Sequence, residues 1–423
     1  MAWVDRRGFL VRTGLGFAAA ALASAGVDQR TTGAQPTLDD WSSVRGLFNL
    51  SPNLLHFGGL LLASHPAPVR DAIDAHRRGL DDNPVDYLHQ NQARLEADVL
   101  RAASAYLGGA APTDIALTDS TTMGLGLLYN GLAVRPDQEI LTTAHDFYST
   151  HEALVFKAQR SGATLKAVRL YTAPESTSRD EIVSSLAGAI TAHTRVVAVT
   201  WVHSSTGVKL PIRALADAVA DANAGRDPAE RALLCVDGVH GLGVEDLNLP
   251  GLGCDFFVAG CHKWLFGPRG TGFVWGHPQA WPAATPTIPT FGDASQSSGA
   301  MTPGGFHSFE HRWALAQAFD LHRQLGMARV AAWVHALNRQ LKEGLAAMTH
   351  VRLRTPLDED LSAGLVCFEV AGLPPQGVVD RLHAASIVAT VTPYATSYAR
   401  LAPGLLNSPE EVDAVLAAVN SLA

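Results

Sequence analysis

Two stretches carry residues whose types and order could do chemistry: VDGVHGLG (236–243) and, shortly after it, CDFFVAGCHKWLFGPRGTGF (254–273). Each opens with an apolar run that ends abruptly in polar groups. Asp237 and His240 follow the first run, and His262 and Lys263 follow the second. A lysine closing a buried strand loses hydration of its ammonium, which lowers its pKa and leaves a nucleophilic amine. Such an amine forms Schiff bases with aldehydes. Pyridoxal phosphate exploits that chemistry and wants an acidic partner at its pyridinium nitrogen, so that the ring draws electrons from a carbanion at the substrate's Cα. Asp237, 26 residues before Lys263 and at a separate predicted strand end, is placed to supply it.

A phosphate needs its own site. In LTDSTTMGLGLLYNGL (117–132) a strand end leads through Ser120, Thr121 and Thr122 into a helix-like run. Hydroxyls and free N–H groups at a helix start bind anions without a glycine-rich loop. The same three residues also suit an ordinary helix cap. Two other function classes stay open. HSFEH (307–311) has the H-x-x-E-H order of some zinc peptidases, which would make His307, Glu310 and His311 the centre of a hydrolase. The lysine and aspartate could also hold a cofactor without turnover.

The elements that position these groups read as an α/β domain. Between residues 115 and 276 the runs DIALT, EILTT, LKAVRLY, RVVAVTWV, ALLCVDG, CDFFVAG and GTGFVWG read as strands. Amphipathic segments such as EIVSSLAGAI and PIRALADAVADANA lie between many of them. Apolar strands alternating with helices predict a mostly parallel sheet covered on both faces, with ligands at the carboxyl ends of the strands. His145, the Trp201-Val202-His203-Ser204 segment, Asp237 and Lys263 all follow such runs.

The pair DGVHGLG and GCHKWLFGPRGTGF resembles the class V aminotransferase group of fold-type I pyridoxal-phosphate enzymes. That group includes isopenicillin N epimerase-like proteins, cysteine desulfurases and related C–S lyases. The resemblance runs from about residue 45 to the C-terminus. WVHSSTGVKLPI (201–212) and GGFHSFEHRWALAQAF (304–319) point to the exported, epimerase-like branch. It implies a large domain with a mostly parallel sheet, a small C-terminal α+β domain, and a homodimer whose small-molecule substrate is an amino acid. By position, it makes Lys263 the Schiff-base residue, Asp237 the pyridinium partner and His240 the neighbour of the phenolic oxygen. His145 becomes the ring-stacking residue, with Tyr148 as second choice. Ser120, Thr121, Thr122 and His262 become phosphate ligands, Ser204 a polar group near the phenolic oxygen or substrate, and Arg400 the grip on the substrate carboxylate. Two positions depart from the family. Gly260 stands where a serine is common, and Gly304-Gly305-Phe306 replaces a segment that often carries a cross-subunit threonine. Epimerisation, transamination and elimination are all compatible with these residues. Cys367, inside the apolar LVCFEV, is a poor match for a desulfurase's mobile cysteine.

Length and composition frame this. The 423 residues allow a large core and two domains, here expected at 37–300 and 301–423. A net charge of −8, with no basic run, excludes a general attraction to nucleic acid. Residues 1–36 read as a leader and linker. Arg6-Arg7 precedes an apolar stretch ending in Ala23-Ser24-Ala25, the pattern of a twin-arginine export signal. The apolar run is shorter than the ~20 residues that span a bilayer. A periplasmic or extracellular protein, exported by the twin-arginine machinery and not stably inserted in the membrane, is therefore expected. The cysteines Cys235, Cys254, Cys261 and Cys367 sit in or beside apolar runs without a C-x-x-C pair, so buried single thiols are expected. Beyond residue 300 a helix-like stretch (311–345) precedes short strands and a last helix opened by Ser408-Pro409-Glu410-Glu411.

Overall fold

The structure, a computed structural model, describes residues 38–422; the proposed export signal and its cleavage site lie outside the described residues. The seven apolar runs form seven strands: β1 (Ile115–Thr118), β2 (Glu139–Thr143), β3 (Thr164–Val168), β4 (Thr194–Thr200), β5 (Leu233–Asp237), β6 (Phe256–Gly260) and β7 (Gly272–Gly276). They make one sheet in the order β1-β7-β6-β5-β4-β2-β3, and only β7 runs antiparallel to its neighbours. Successive residues of each strand face opposite sides. Leu234 and Val236 of β5 therefore join one apolar core, and Leu233 and Cys235 join the other. Burial on both faces explains why six of these strands read as apolar runs, whereas β3, at the sheet edge, is largely exposed.

Helices cover the sheet: α1 (Ala67–Asp82), α2 (Pro84–Tyr106), α3 (Thr121–Gly131), α4 (Tyr148–Ser161), α5 (Arg179–Ala189) and α6 (Ile212–Ala222). The stretch expected as one helix over 311–345 is two, α7 (Phe309–Leu325) and α8 (Met327–Ala346). Gly326 separates them with φ +83°, a conformation that ends an α-helix and that side chains disfavour. α7 packs on α1 and α2, and its Ala314, Ala318 and Phe319 belong to the core of the large sheet.

A second core lies under a smaller antiparallel sheet of β8 (Val351–Leu353), β9 (Val366–Val370), β10 (Thr390–Val391) and β11 (Ala399–Leu401), ordered β10-β11-β9-β8. α8, α9 (Pro375–Ala384) and α10 (Pro409–Asn420) supply Leu341, Leu382 and Val415 to it, and Phe57 joins from the N-terminal side. α10 opens as expected. Ser408 Oγ accepts from the Glu411 N–H, and the Glu411 carboxylate accepts from the Ser408 N–H, both at 3.3 Å. No described helix is long and apolar enough to cross a membrane. All four cysteines are free and buried.

Candidate active site

The polar strand ends converge on a cavity of about 140 Å³. Ser120, Thr121, Thr122, Ser204, Asp237, His240, His262, Lys263 and Arg400 line it, with Leu60, Phe147, Thr200 and Pro393. Nine of the ten residues singled out in the sequence thus meet in one place. Asp237 closes β5 and is 2% exposed. Its Oδ1 accepts from the Val239 N–H at 3.2 Å. Burial raises its pKa to about 6, against the opposing pull of that hydrogen bond and of Lys263.

Lys263 follows β6 by three residues, and burial lowers its pKa to about 8. The hydrogen bonds around it favour the same shift toward the neutral amine. The indole N–H of Trp264 donates to His240 Nδ1 at 3.3 Å, and an indole N–H is a donor only. Neutral His240 must then carry its proton on Nε2, which lies 3.2 Å from Lys263 Nζ. A hydrogen bond there forms only with the lysine accepting as the free amine, the form that burial makes accessible near pH 8. Burial also holds His240 well below the ordinary histidine range, which keeps the imidazole neutral.

At the other end of the cavity α3 presents its N-terminus. Ser120 Oγ caps the helix by accepting from the Met123 N–H at 3.1 Å, so it is both a cap and a lining residue. Thr121 Oγ1 accepts from the Gly260 N–H at 2.8 Å. A Cβ on residue 260 would come within 2.9 Å of that hydroxyl, so Thr121 fills the space that a serine at 260 would need. Arg400, on β11 and 1% exposed, donates to the Ser204 carbonyl at 2.7 Å and to Thr390 Oγ1 at 3.0 Å. These bonds use part of a five-donor guanidinium and fix its plane.

His145 is the exception. It borders a neighbouring cleft rather than the cavity, with its ring stacked on Tyr171 at 3.9 Å and 5.3 Å from His203. Tyr148 is exposed in the same cleft. The residues of this stretch that do line the cavity are Phe147 and Ser149. Asp146 sets the arrangement: its buried carboxylate accepts from Thr142 Oγ1, the Thr143 N–H and the Thr200 N–H at 2.7–2.8 Å. That anchor turns His145 away and leaves the next aromatic, Phe147, facing in. Thr200 also lines the cavity; inside the apolar run RVVAVTWV a threonine reads as an ordinary strand residue. The HSFEH residues make no ligand set. His307 precedes the helix cap Ser308, so the two histidines do not share a helical face, and His311 Nδ1 is hydrogen-bonded to the Arg269 carbonyl at 2.9 Å. No group of three possible metal ligands occurs among the described residues.

The donors suit pyridoxal phosphate. Thr200 Oγ1 and His262 Nδ1 are buried beside the cavity without a partner, next to a helix N-terminus, a carboxylate and a lysine amine whose pKa burial lowers. The aminotransferase class-V family model matches residues 63–403. The chain belongs to that family. It is a pyridoxal-phosphate-dependent enzyme of fold type I. Class-V relatives include isopenicillin N epimerase of Streptomyces clavuligerus, 25% identical over 407 residues that cover 90% of this chain and 98% of that protein. A probable cysteine desulfurase of Mycolicibacterium paratuberculosis is 25% identical over 75% of this chain and 47% of its own. Among solved structures, a C-DES mutant with glycine covalently linked to its PLP cofactor superposes with TM-score 0.81 at 21% identity, covering 89% of this chain and 98% of that one. The apo cysteine desulfurase of Thermococcus onnurineus gives 0.78 at 22% identity, covering 90% and 97%.

Only the neutral amine attacks an aldehyde, and with a pKa of about 8 its fraction rises with pH up to that value. Borohydride-trapped capture of pyridoxal phosphate by cofactor-free protein is therefore expected to be about 50-fold faster at pH 8 than at pH 6. Trp264→Phe frees the His240 tautomer, so its midpoint is expected to move upward. A wild-type midpoint near that of free lysine would contradict the assigned protonation state.

Proposed function

We propose that this enzyme removes the Cα proton of an amino acid through Lys263 and that a solvent-derived proton then adds to the opposite face, as in an epimerase or racemase. The observation that carries this is the single cavity shared by the buried Lys263, the buried Asp237 and the immobilised Arg400. Pyridoxal phosphate, when bound, supplies an aldehyde for amines and a ring that accepts the electron pair from Cα. Ser120, Thr121 and Thr122 at the start of α3, with His262, would hold its phosphate. Asp237 would keep the ring nitrogen protonated, His240 and Ser204 would lie by its phenolic oxygen, and Phe147 would cover a ring face. Arg400 grips the substrate carboxylate, and Lys263 takes the Cα proton as general base.

Similarity to isopenicillin N epimerase across 98% of that protein favours epimerisation. Cysteine chemistry has little support here: Cys367 is buried within β9, and burial pushes its thiol up to about 12. We further propose a homodimer, joined through the apolar surface of Ile288, Phe291 and Phe306 beside Gly304 and Gly305. Residues 1–36 are assigned to twin-arginine export to the periplasm or cell exterior.

The deciding experiment incubates holoenzyme with single-enantiomer amino acids in D2O. Deuterium entering Cα together with the opposite enantiomer is the expected result. Keto acid without inversion would make it an aminotransferase, and loss of the β-substituent would make it a lyase. Sedimentation of the same preparation at the monomer mass would remove the dimer. An unprocessed N-terminus on protein confined to the cytoplasm would remove export.

A further inference from the structure

The anion cradle at the start of α3 holds no cation of its own. Ser120, Thr121 and Thr122 offer hydroxyls and helix N–H groups, and burial lowers the pKa of His262, which keeps its imidazole neutral. Lys263 is taken by the aldehyde and Arg400 by the substrate carboxylate, and no other lysine or arginine lines the cavity. A carboxylate stands directly before the cradle. Asp119 joins β1 to α3 together with Ser120, whose Oγ caps the helix. Neighbouring Cα atoms are about 3.8 Å apart, so Asp119 lies in the same positive field at the helix start that would hold a phosphate. Left bare, its charge competes for that field and repels the anion.

The fold sets one cation against it. Arg312 directly follows the HSFEH segment, in the first turns of α7, and is 6% exposed. Its Nη2 donates to Asp119 Oδ1 at 3.2 Å across 193 residues of chain. This is the only ion pair of Asp119, and the only hydrogen bond of the guanidinium, among the described residues. A buried pair of this kind adds little to stability over an apolar replacement, so stability alone gives little reason for an arginine here. The groups nearby do not replace its charge. His307 stands by both members of the pair, and burial together with the Arg312 charge lowers its pKa to about 4. Glu96, which lines a separate cavity of about 250 Å³ with His307 and Arg312, is itself an acid.

We propose that Arg312 is a positioning residue for cofactor selection: by pairing with Asp119 it cancels the carboxylate beside the cradle, and so sets the site's preference for pyridoxal phosphate over unphosphorylated pyridoxal. This rests on the cofactor phosphate lying at the start of α3. The test titrates cofactor-free protein with each aldehyde, following the visible absorbance of the bound form, with thermal melts to confirm folding. Arg312→Met is expected to weaken pyridoxal phosphate at least about tenfold and pyridoxal less than about twofold, because the uncancelled carboxylate acts on the phosphate. Asp119→Asn in the same chain should return the preference to within about threefold of the wild type. A merely structural arginine would weaken both aldehydes alike and gain nothing from the second change. Asp119→Asn alone leaves the guanidinium uncancelled and should raise the preference at least about threefold. Equal weakening of the two aldehydes in Arg312→Met, or no recovery in the double variant, would overturn the proposal. Should Arg312→Met fail to fold, Asp119→Asn decides, and an unchanged or lower preference there overturns it. If the wild type binds both aldehydes equally, the phosphate does not lie at the start of α3 and this inference fails with that reading. If the wild type prefers pyridoxal phosphate and every variant keeps that preference unchanged, this inference alone fails.

Discussion

Lys263→Ala is expected to lower Cα deuterium exchange by about a thousandfold or more and to abolish borohydride-fixed cofactor on the chain. The substitution removes both the covalent anchor and the general base, and a positioned base alone contributes about 10²–10⁴-fold. No other lysine lines the cavity to replace it. The fold should survive, because the amine's one hydrogen-bonding partner, His240, keeps its bond from Trp264. Removing a desolvated amine from a site where burial disfavours its charge takes little from stability. Intact peptide mass spectrometry after reduction, with a thermal melt as control, reads both expectations. Exchange within tenfold of the wild type would move the base to another residue.

Gly238→Ala is expected to cost about 3 kcal/mol of stability and to weaken cofactor binding in the same protein. A Cβ on residue 238 would lie 1.8 Å from the tip of the Phe257 ring. Phe257 is fully buried, with Phe273 at 6.2 Å and Trp201 at 6.0 Å, so the ring has nowhere to retreat. The backbone must move instead, and it carries Asp237 and His240 on either side. Gly126→Ala is the contrast. Nothing lies within 4 Å of its Cβ position inside α3, and helix propensity favours the change by about 1 kcal/mol. Denaturant midpoints of the two variants should therefore shift in opposite directions. A neutral Gly238→Ala would mean that the sheet beneath the site is softer than its packing indicates.

Much of the site was legible because strand ends in a sheet buried on both faces announce themselves. An apolar run has to stop where the chain leaves the core, and the polar residues at that stop share one edge of the sheet. Asp237, His240, His262, Lys263 and Ser204 were all found that way. Ser120 and its neighbours were legible as a helix start, and the structure makes the cap and the cavity wall the same residues. His145 carries the same signature and still faces elsewhere. Which of three consecutive residues turns inward is settled by Asp146, whose partners Thr143 and Thr200 lie on two different strands. Nothing in TTAHDFYS reports the Thr200 contact. The helical stretch over 311–345 posed a similar problem. Its amphipathic pattern continues across Gly326, while the chain changes direction there and places α7 with α1 and α2.

The sequence by itself determined the α/β class, the strands, the lysine–aspartate pair and the family, because those follow from local periodicity and from residue types at fixed spacing. The tertiary structure alone decided which side chains face one another across elements distant in the chain. Arg400 on the small sheet reaches the Ser204 carbonyl, Thr121 occupies the room at Gly260, and Trp264 selects the tautomer of His240 that turns an N–H toward Lys263. Each of these depends on an angle and a few ångströms between separate elements. A linear pattern carries no such information, whereas close packing and the need to pair every buried donor fix it in the fold.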